Sequence, residues 1–92
     1  MTRSMDETYI ELQNFERTLR AFNEQLKSSL NELQAQHENV SPHWQDEMRR
    51  HYDSVWKPFL QTMKHYVVSE GPGYVEFLNI KIHALRRYLQ GG

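Results

Sequence analysis

His43, Glu47 and His51 stand four residues apart, and on a helix this spacing puts all three on one stripe. Imidazole and carboxylate at i and i+4 can chelate a divalent metal. Yet the order of residues is not that of a zinc-protease helix, and no Glu-x-x-His pair of the di-iron type occurs in the chain. A solvated stripe carrying an intrahelical ion pair accounts for the same three residues more simply, so no metal is expected. His37, His65 and His83 are scattered and read as surface or boundary residues. There is no cysteine, hence no disulfide, no thiolate zinc site and no cysteine nucleophile. Nor does the chain hold a glycine-rich phosphate loop, a nucleophile elbow or a carboxylate pair distinguishable from surface charge. No catalytic residue, no cofactor and no enzymatic activity are expected.

Two other stretches invite a chemical reading. The tail "RRYLQGG" ends in Gly91 and Gly92. A diglycine end can thread a narrow channel, and this one resembles ubiquitin-like modifiers in its Arg, Leu and Gly-Gly residues. That resemblance implies adenylation and conjugation by an E1-like enzyme, whereas termination of a helix by Gly91 explains the residues without it. "KIHALRRYLQ" interleaves Lys81, Arg86 and Arg87 with apolar residues, but the net charge of the chain is −1. So few cations argue against binding to a phosphate backbone, and no nucleic-acid partner is expected. No apolar run approaches the roughly 18 residues of a membrane span, which argues against membrane insertion. "MTRSMDETY" has no apolar segment of the signal-peptide kind. The expected location is cytoplasmic, or outside the cell by a route without a cleavable signal.

The elements that carry these residues read as helices throughout. Met5, Leu12, Leu19, Leu26, Leu33 and Val40 recur every seventh residue, with Phe15 and Phe22 three after Leu12 and Leu19. This is a heptad seam of coiled-coil character, and "SMDE" at Ser4–Glu7 is a capping box for its start. The helix is placed at about 5–38 and a turn at 39–41. Pro42 suits the first position of a second helix, about 42–68, and Trp44 anchors the turn. Trp44, Met48, Tyr52, Val55, Phe59, Met63 and Tyr66 step by three and four along it as the core-facing series. Pro58 removes one backbone donor and should kink this helix. Trp56 and Leu60 lie on its flank, where an aromatic serves either as a second core layer or as an interface anchor. "SEGPGY" reads as a break at 69–73, followed by a third helix at about 74–90 with Leu78, Ile82, Leu85 and Leu89 on one face.

A helical hairpin with tryptophan at its turn resembles the small WXG family of type VII secretion, the early-secreted-antigen-like proteins. Trp44 and the series Met48, Tyr52, Val55 and Phe59 carry the likeness, which covers about residues 5–68. The tripeptide at the turn is Trp44-Gln45-Asp46, without the family's glycine. "YVVSE" fits the tyrosine-x-x-x-acid export signal of that family on Tyr66 and Glu70. The resemblance implies a non-enzymatic protein that acts as a dimer, as a secretion substrate or as an adaptor for one.

A chain of 92 residues with 38% hydrophobic content has little interior and often completes its core on another surface. Residues 1–40 carry seven acidic and four basic side chains, and residues 41–92 five acidic and seven basic. The expectation is therefore an all-α antiparallel helical hairpin, coiled-coil-like, with a shorter third C-terminal helix. It becomes four-helix-bundle-like when dimerised. Partners are a second copy, a different helical protein, secretion machinery or a toxin, and assembly of a phage or toxin system is an equivalent role. The expected partner-binding residues are Phe15, Phe22, Trp56, Leu60 and Phe77.

Overall fold

The computed structural model describes residues 4–91, all helical apart from short connections, with no strand among them. α1 runs Met5–Val40, a 3-10 turn covers Ser41–His43, α2 runs Glu47–His65, a π-helical turn covers Tyr66–Glu70, and α3 runs Gly71–Leu89. Ser4 caps α1, its hydroxyl accepting from the Glu7 N–H at 3.1 Å. Asp46 caps α2 in the same way through the Arg49 N–H at 3.0 Å. The second α-helix therefore begins five residues later than Pro42, which opens the 3-10 turn instead. Trp44 lies outside both helices in extended backbone.

α2, the π turn and α3 follow one another without leaving helical geometry: Glu70, Gly71 and their neighbours keep right-handed helical angles. The break expected at 69–73 is thus absent, and α3 is as long as α2 rather than a short addition. At 1.5 Å per residue the stretch from Glu47 to Leu89 spans about 64 Å. The whole molecule is 65 Å long, close to the length of this helix, which continues as one helical stretch through Pro58 and the glycines.

α1 lies antiparallel beside this long helix. His37 stacks on Trp56, Asn23 bonds Tyr66, and Arg20 faces Pro72 and Asn79 across a groove. The two backbones come close along α3 but scarcely along α2, where large rings fill a wider gap. The pattern of burial explains the π turn. In α2 the inward stripe is Tyr52, Trp56, Leu60 and Met63. Continued by eleven residues, it would bring Tyr74 inside. The π turn inserts one residue, and Gly71, Val75, Leu78, Ile82, Leu85 and Leu89 face inward instead, spaced four and three. Gly71 N–H reaches back five residues to the Tyr66 carbonyl, the signature of the widened turn. Pro72 follows at once, where a helix tolerates a missing donor best.

Candidate interaction surface

The interior is thin. Leu30, Trp56 and Ile82 are its buried apolar residues, joined by half-buried Leu12, Leu19, Leu26 and Leu78. Three polar clusters tie it together. At the turn, Arg49 donates to the carbonyls of Ser41 and Trp44, to the Ser41 hydroxyl and to Asp53. One planar guanidinium thereby satisfies the carbonyls left open between α1 and α2. Trp44 adds an indole N–H bond to Asp46 at 2.9 Å and a tilted contact with Tyr52 at 5.2 Å. Just inside the turn, His37 packs on both Tyr52 and Trp56, with ring centroids 5.6 and 4.7 Å away, and those two rings are 5.9 Å from each other. Its Nδ1 lies 3.2 Å from the Tyr52 hydroxyl.

Midway along, the Tyr66 hydroxyl donates to Asn23 Oδ1 at 2.7 Å, while Asn23 Nδ2 is buried without a partner. Gly71 sits against the same carboxamide, and a Cβ built on it would lie 3.1 Å from Asn23 Cγ and Nδ2 and from Tyr66 Cε1. Toward the other end, Glu16 is 6% exposed and forms a bidentate pair with Arg20, both bonds 2.8 Å. The hydrogen bond and then the charge of Glu16 push the Arg20 guanidinium above its ordinary pKa, so it stays protonated.

These clusters leave one flank of the paired helices apolar. Phe15 and Phe22 are 60% and 55% exposed, and Phe77 is 57% exposed. Leu33 and Val40 continue the α1 edge, and Met48, Val55 and Phe59 continue the α2 edge, all exposed. Helical phase at 100° per residue sets these residues on one side of the hairpin, with Tyr74 and Tyr88 on the same side of α3. A groove at the turn end joins Leu33, Gln36 and Val40 of α1 to Trp44 and Tyr52 on this side. The opposite flank is polar: Arg20 and Glu24 face Pro72, Glu76 and Asn79 there. Ile10, Val68 and Ile80 are exposed apolar residues outside the stripe.

Of the expected partner residues, the structure places Phe15, Phe22 and Phe77 on this flank. Trp56 does not belong with them: at 9% exposure it is a core residue stacked on His37. Leu60 is likewise turned partly inward. Conversely, Met48, Val55 and Phe59, expected to face the core, are outside. The stripe of α2 is rotated by about one residue from the expected one, because Trp56 rather than Val55 meets His37. The α1 seam is split similarly, with Leu12, Leu19 and Leu26 inside and Met5, Leu33 and Val40 exposed. Arg49, Asn23 and Glu16 carry no sequence signal for these roles, and Gly71, expected to end the second helix, continues it instead. The heptad 16, 23, 30 and 37 does mark the inward line of α1, but with Glu, Asn, Leu and His it carries no apolar signal.

Tyr66 and Glu70 lie in the π turn. Tyr66 is half-buried on Asn23, and Glu70 approaches His65 at 3.7 Å. Gly91 adopts a left-handed φ of +73° just past α3, and its N–H bonds the Tyr88 carbonyl, so it terminates the helix. Gly92 lies outside the described residues. Among the described residues no group of three His, Asp or Glu side chains is placed to hold a metal, His43, Glu47 and His51 included. No helix among them is long and apolar enough to cross a membrane. No family model matches the chain, and no curated protein or solved structure matches it either.

Proposed function

We propose that this chain is a non-enzymatic protein-binding hairpin, a WXG-like partner or adaptor in a type VII-like export system, which works by burying its apolar flank on another helical surface to give a four-helix-bundle-like assembly. The carrying observation is the unequal division of the surface: Phe15, Phe22 and Phe77 are all more than half exposed on one flank, while the other is mainly polar, with Ile10 and Val68 its exposed apolar residues. Contiguous apolar patches of this kind on soluble chains mark interaction sites. Burying each phenyl ring stabilises the assembly by about 1.5–3 kcal/mol.

The adaptor role is preferred to that of exported cargo, because the Tyr66 hydroxyl is engaged by Asn23 and the ring is half-buried in the folded chain. Two experiments test the reading. Phe22→Asp should abolish recovery of the cognate helical partner from the native host, and Glu24→Gln on the polar flank should leave it intact. Equal recovery with both variants removes the flank from the function. Deleting the secretion ATPase of the host should stop export of the partner, and unchanged export removes the type VII assignment.

A further inference from the structure

We infer that α3 is a two-position roll switch: either of its two apolar stripes can face α1, and the π turn at Tyr66–Glu70 supplies the one residue by which the positions differ. This deepens the preceding reading and rests on it, because the roll decides which side chains of α3 stand on the binding flank. In the structure α3 turns Gly71, Val75, Leu78, Ile82, Leu85 and Leu89 inward and leaves Tyr74 and Tyr88 exposed. Yet Tyr74, Leu78, Lys81, Leu85 and Tyr88 are spaced four, three, four and three, as regular a stripe as the first. It is also the stripe that an uninterrupted α-helix would carry inward from Trp56 and Met63. The two stripes share Leu78 and Leu85. Drawing the π turn out into α-helix rolls α3 by about 100° about those two leucines. Val75, Ile82 and Leu89 then give way to Tyr74, Lys81 and Tyr88, while Trp56 keeps its place on His37.

Three features of the molecule keep the second position within reach. A π turn is rare and is found mostly at functional sites, and this one sits at the joint about which α3 would roll. Asn23 Nδ2 is buried without a partner, a defect that native structures seldom carry without a reason. Glu70 now lies outside, beside His65. In the phase of an uninterrupted helix it turns toward Asn23 and offers that nitrogen an acceptor. Lys81 is the one charged member of the second stripe, and its counter-charge already stands on α1. The antiparallel register that sets Asn23 on Gly71 and Arg20 across from Asn79 brings Glu16 level with the turn holding Lys81 and Ile82. Glu16 is a buried carboxylate bonded to Arg20 of its own helix, so an inward Lys81 meets an opposite charge there. Exchanging Ile82 for lysine keeps the rolled position the minor one, on the order of 0.1–1% of molecules. A partner that grips Tyr74 and Tyr88 holds α3 as it stands. The roll withdraws both rings and so sets the fraction of the chain competent to bind.

The chain has no cysteine, so single thiols placed in it report accessibility cleanly. In the isolated full chain, Ile82→Cys should react with an aromatic disulfide reagent at about 0.1–1% of the rate of the exposed control His83→Cys. Urea below the unfolding transition should scarcely alter that rate, because rolling a helix exposes little new surface. Leu30→Cys is buried in both positions and should react more slowly, with the steep urea dependence of global unfolding. A rolled helix keeps its backbone bonds, so amide protection across residues 78–86 should exceed the protection of the thiol at 82. Equal protection of amides and thiol means that α3 frays instead, and overturns the switch. Deleting Val68, which is 78% exposed, removes the extra residue and lets a plain α-helix carry Ile82 inward. With helical circular dichroism retained, this deletion should slow Ile82→Cys to the rate of Leu30→Cys. An Ile82→Cys thiol that is already as slow as Leu30→Cys, or that is indifferent to the deletion, also overturns the switch. No partner is present in these measurements, so the two readings fail separately: recovery of the host partner with Phe22→Asp judges the flank, and thiol reactivity judges the roll.

Discussion

Gly71 and Gly73 stand two residues apart in α3, and alanine should act on them with opposite signs. In a helix interior glycine costs about 1 kcal/mol relative to alanine, through the entropy lost on ordering its backbone. Neither glycine has a positive φ, so alanine can adopt both backbones. A Cβ on Gly73 meets nothing within 4 Å, and Gly73→Ala should gain most of that 1 kcal/mol. On Gly71 the same atom lies 3.1 Å from Asn23 Cγ and Nδ2 and from Tyr66 Cε1. These are not loose chain ends. Asn23 and Tyr66 are joined by a 2.7 Å hydrogen bond, and the Asn23 amide nitrogen is sealed from water, so relief requires breaking that bond or separating the helices. Overpacking of this kind costs about 1–3 kcal/mol, which cancels the propensity gain and leaves Gly71→Ala less stable by up to about 2 kcal/mol. In a domain of this size 1 kcal/mol moves Tm by roughly 4–8 °C. Thermal unfolding at matched protein concentration should therefore show Gly73→Ala melting above the parent and Gly71→Ala below it. Adding Asn23→Ala should restore part of what Gly71→Ala loses, since it removes the obstructing carboxamide. If Gly71→Ala raises Tm as much as Gly73→Ala does, the two helices do not meet where the structure places them.

Inserting one alanine after Val68 in the π turn should rotate α3 by about 100° and turn Tyr74 and Lys81 inward in place of Val75 and Ile82, lowering urea stability by at least about 2 kcal/mol; an unchanged midpoint would mean that the residue count of the turn has no role in setting phase. Arg49→Met leaves the Trp44 carbonyl without its donor and the Ser41 carbonyl with only the Trp44 N–H, and should cost about 1.5–3 kcal/mol by the same measurement, with Arg49→Lys recovering only part because it lacks the fork. Trp56→Ala should cost about 3–5 kcal/mol, whereas Phe15→Ala on the open flank should barely alter the stability of the monomer; comparable losses at dilutions where the chain is monomeric would place both rings in the core. Arg20→Met should lower Tm, because it removes the bidentate partner of the buried Glu16 carboxylate, and no change would show that Glu16 is hydrated.

Local chemistry made much of this chain legible before its structure. Ser4 followed by Glu7 announced the start of α1, Gly91 its counterpart at the end of α3, and the three-four spacing of Leu78, Ile82, Leu85 and Leu89 the face that α3 turns inward. These signals are carried by residues within one or two turns of each other, and such neighbours need no partner to act. The orientation of the other stripes was not available from spacing. Leu12 and Phe15 are equally apolar and adjacent around α1, as are Val55 and Trp56 around α2, and periodicity alone cannot rank two neighbouring stripes. The choice falls to the opposing helix. His37 offers a flat ring on which Trp56 stacks, and Asn23 packs so closely on Gly71 that a Cβ there would lie 3.1 Å from its carboxamide. Gly71, Pro72 and Gly73 show the same limit from the other side. By propensity they end a helix, yet here they continue one, because a π turn before them resets the phase and the close approach to α1 rewards the missing side chain. Such contacts join residues from nineteen to forty-eight positions apart, and no reading of neighbours along the chain contains them.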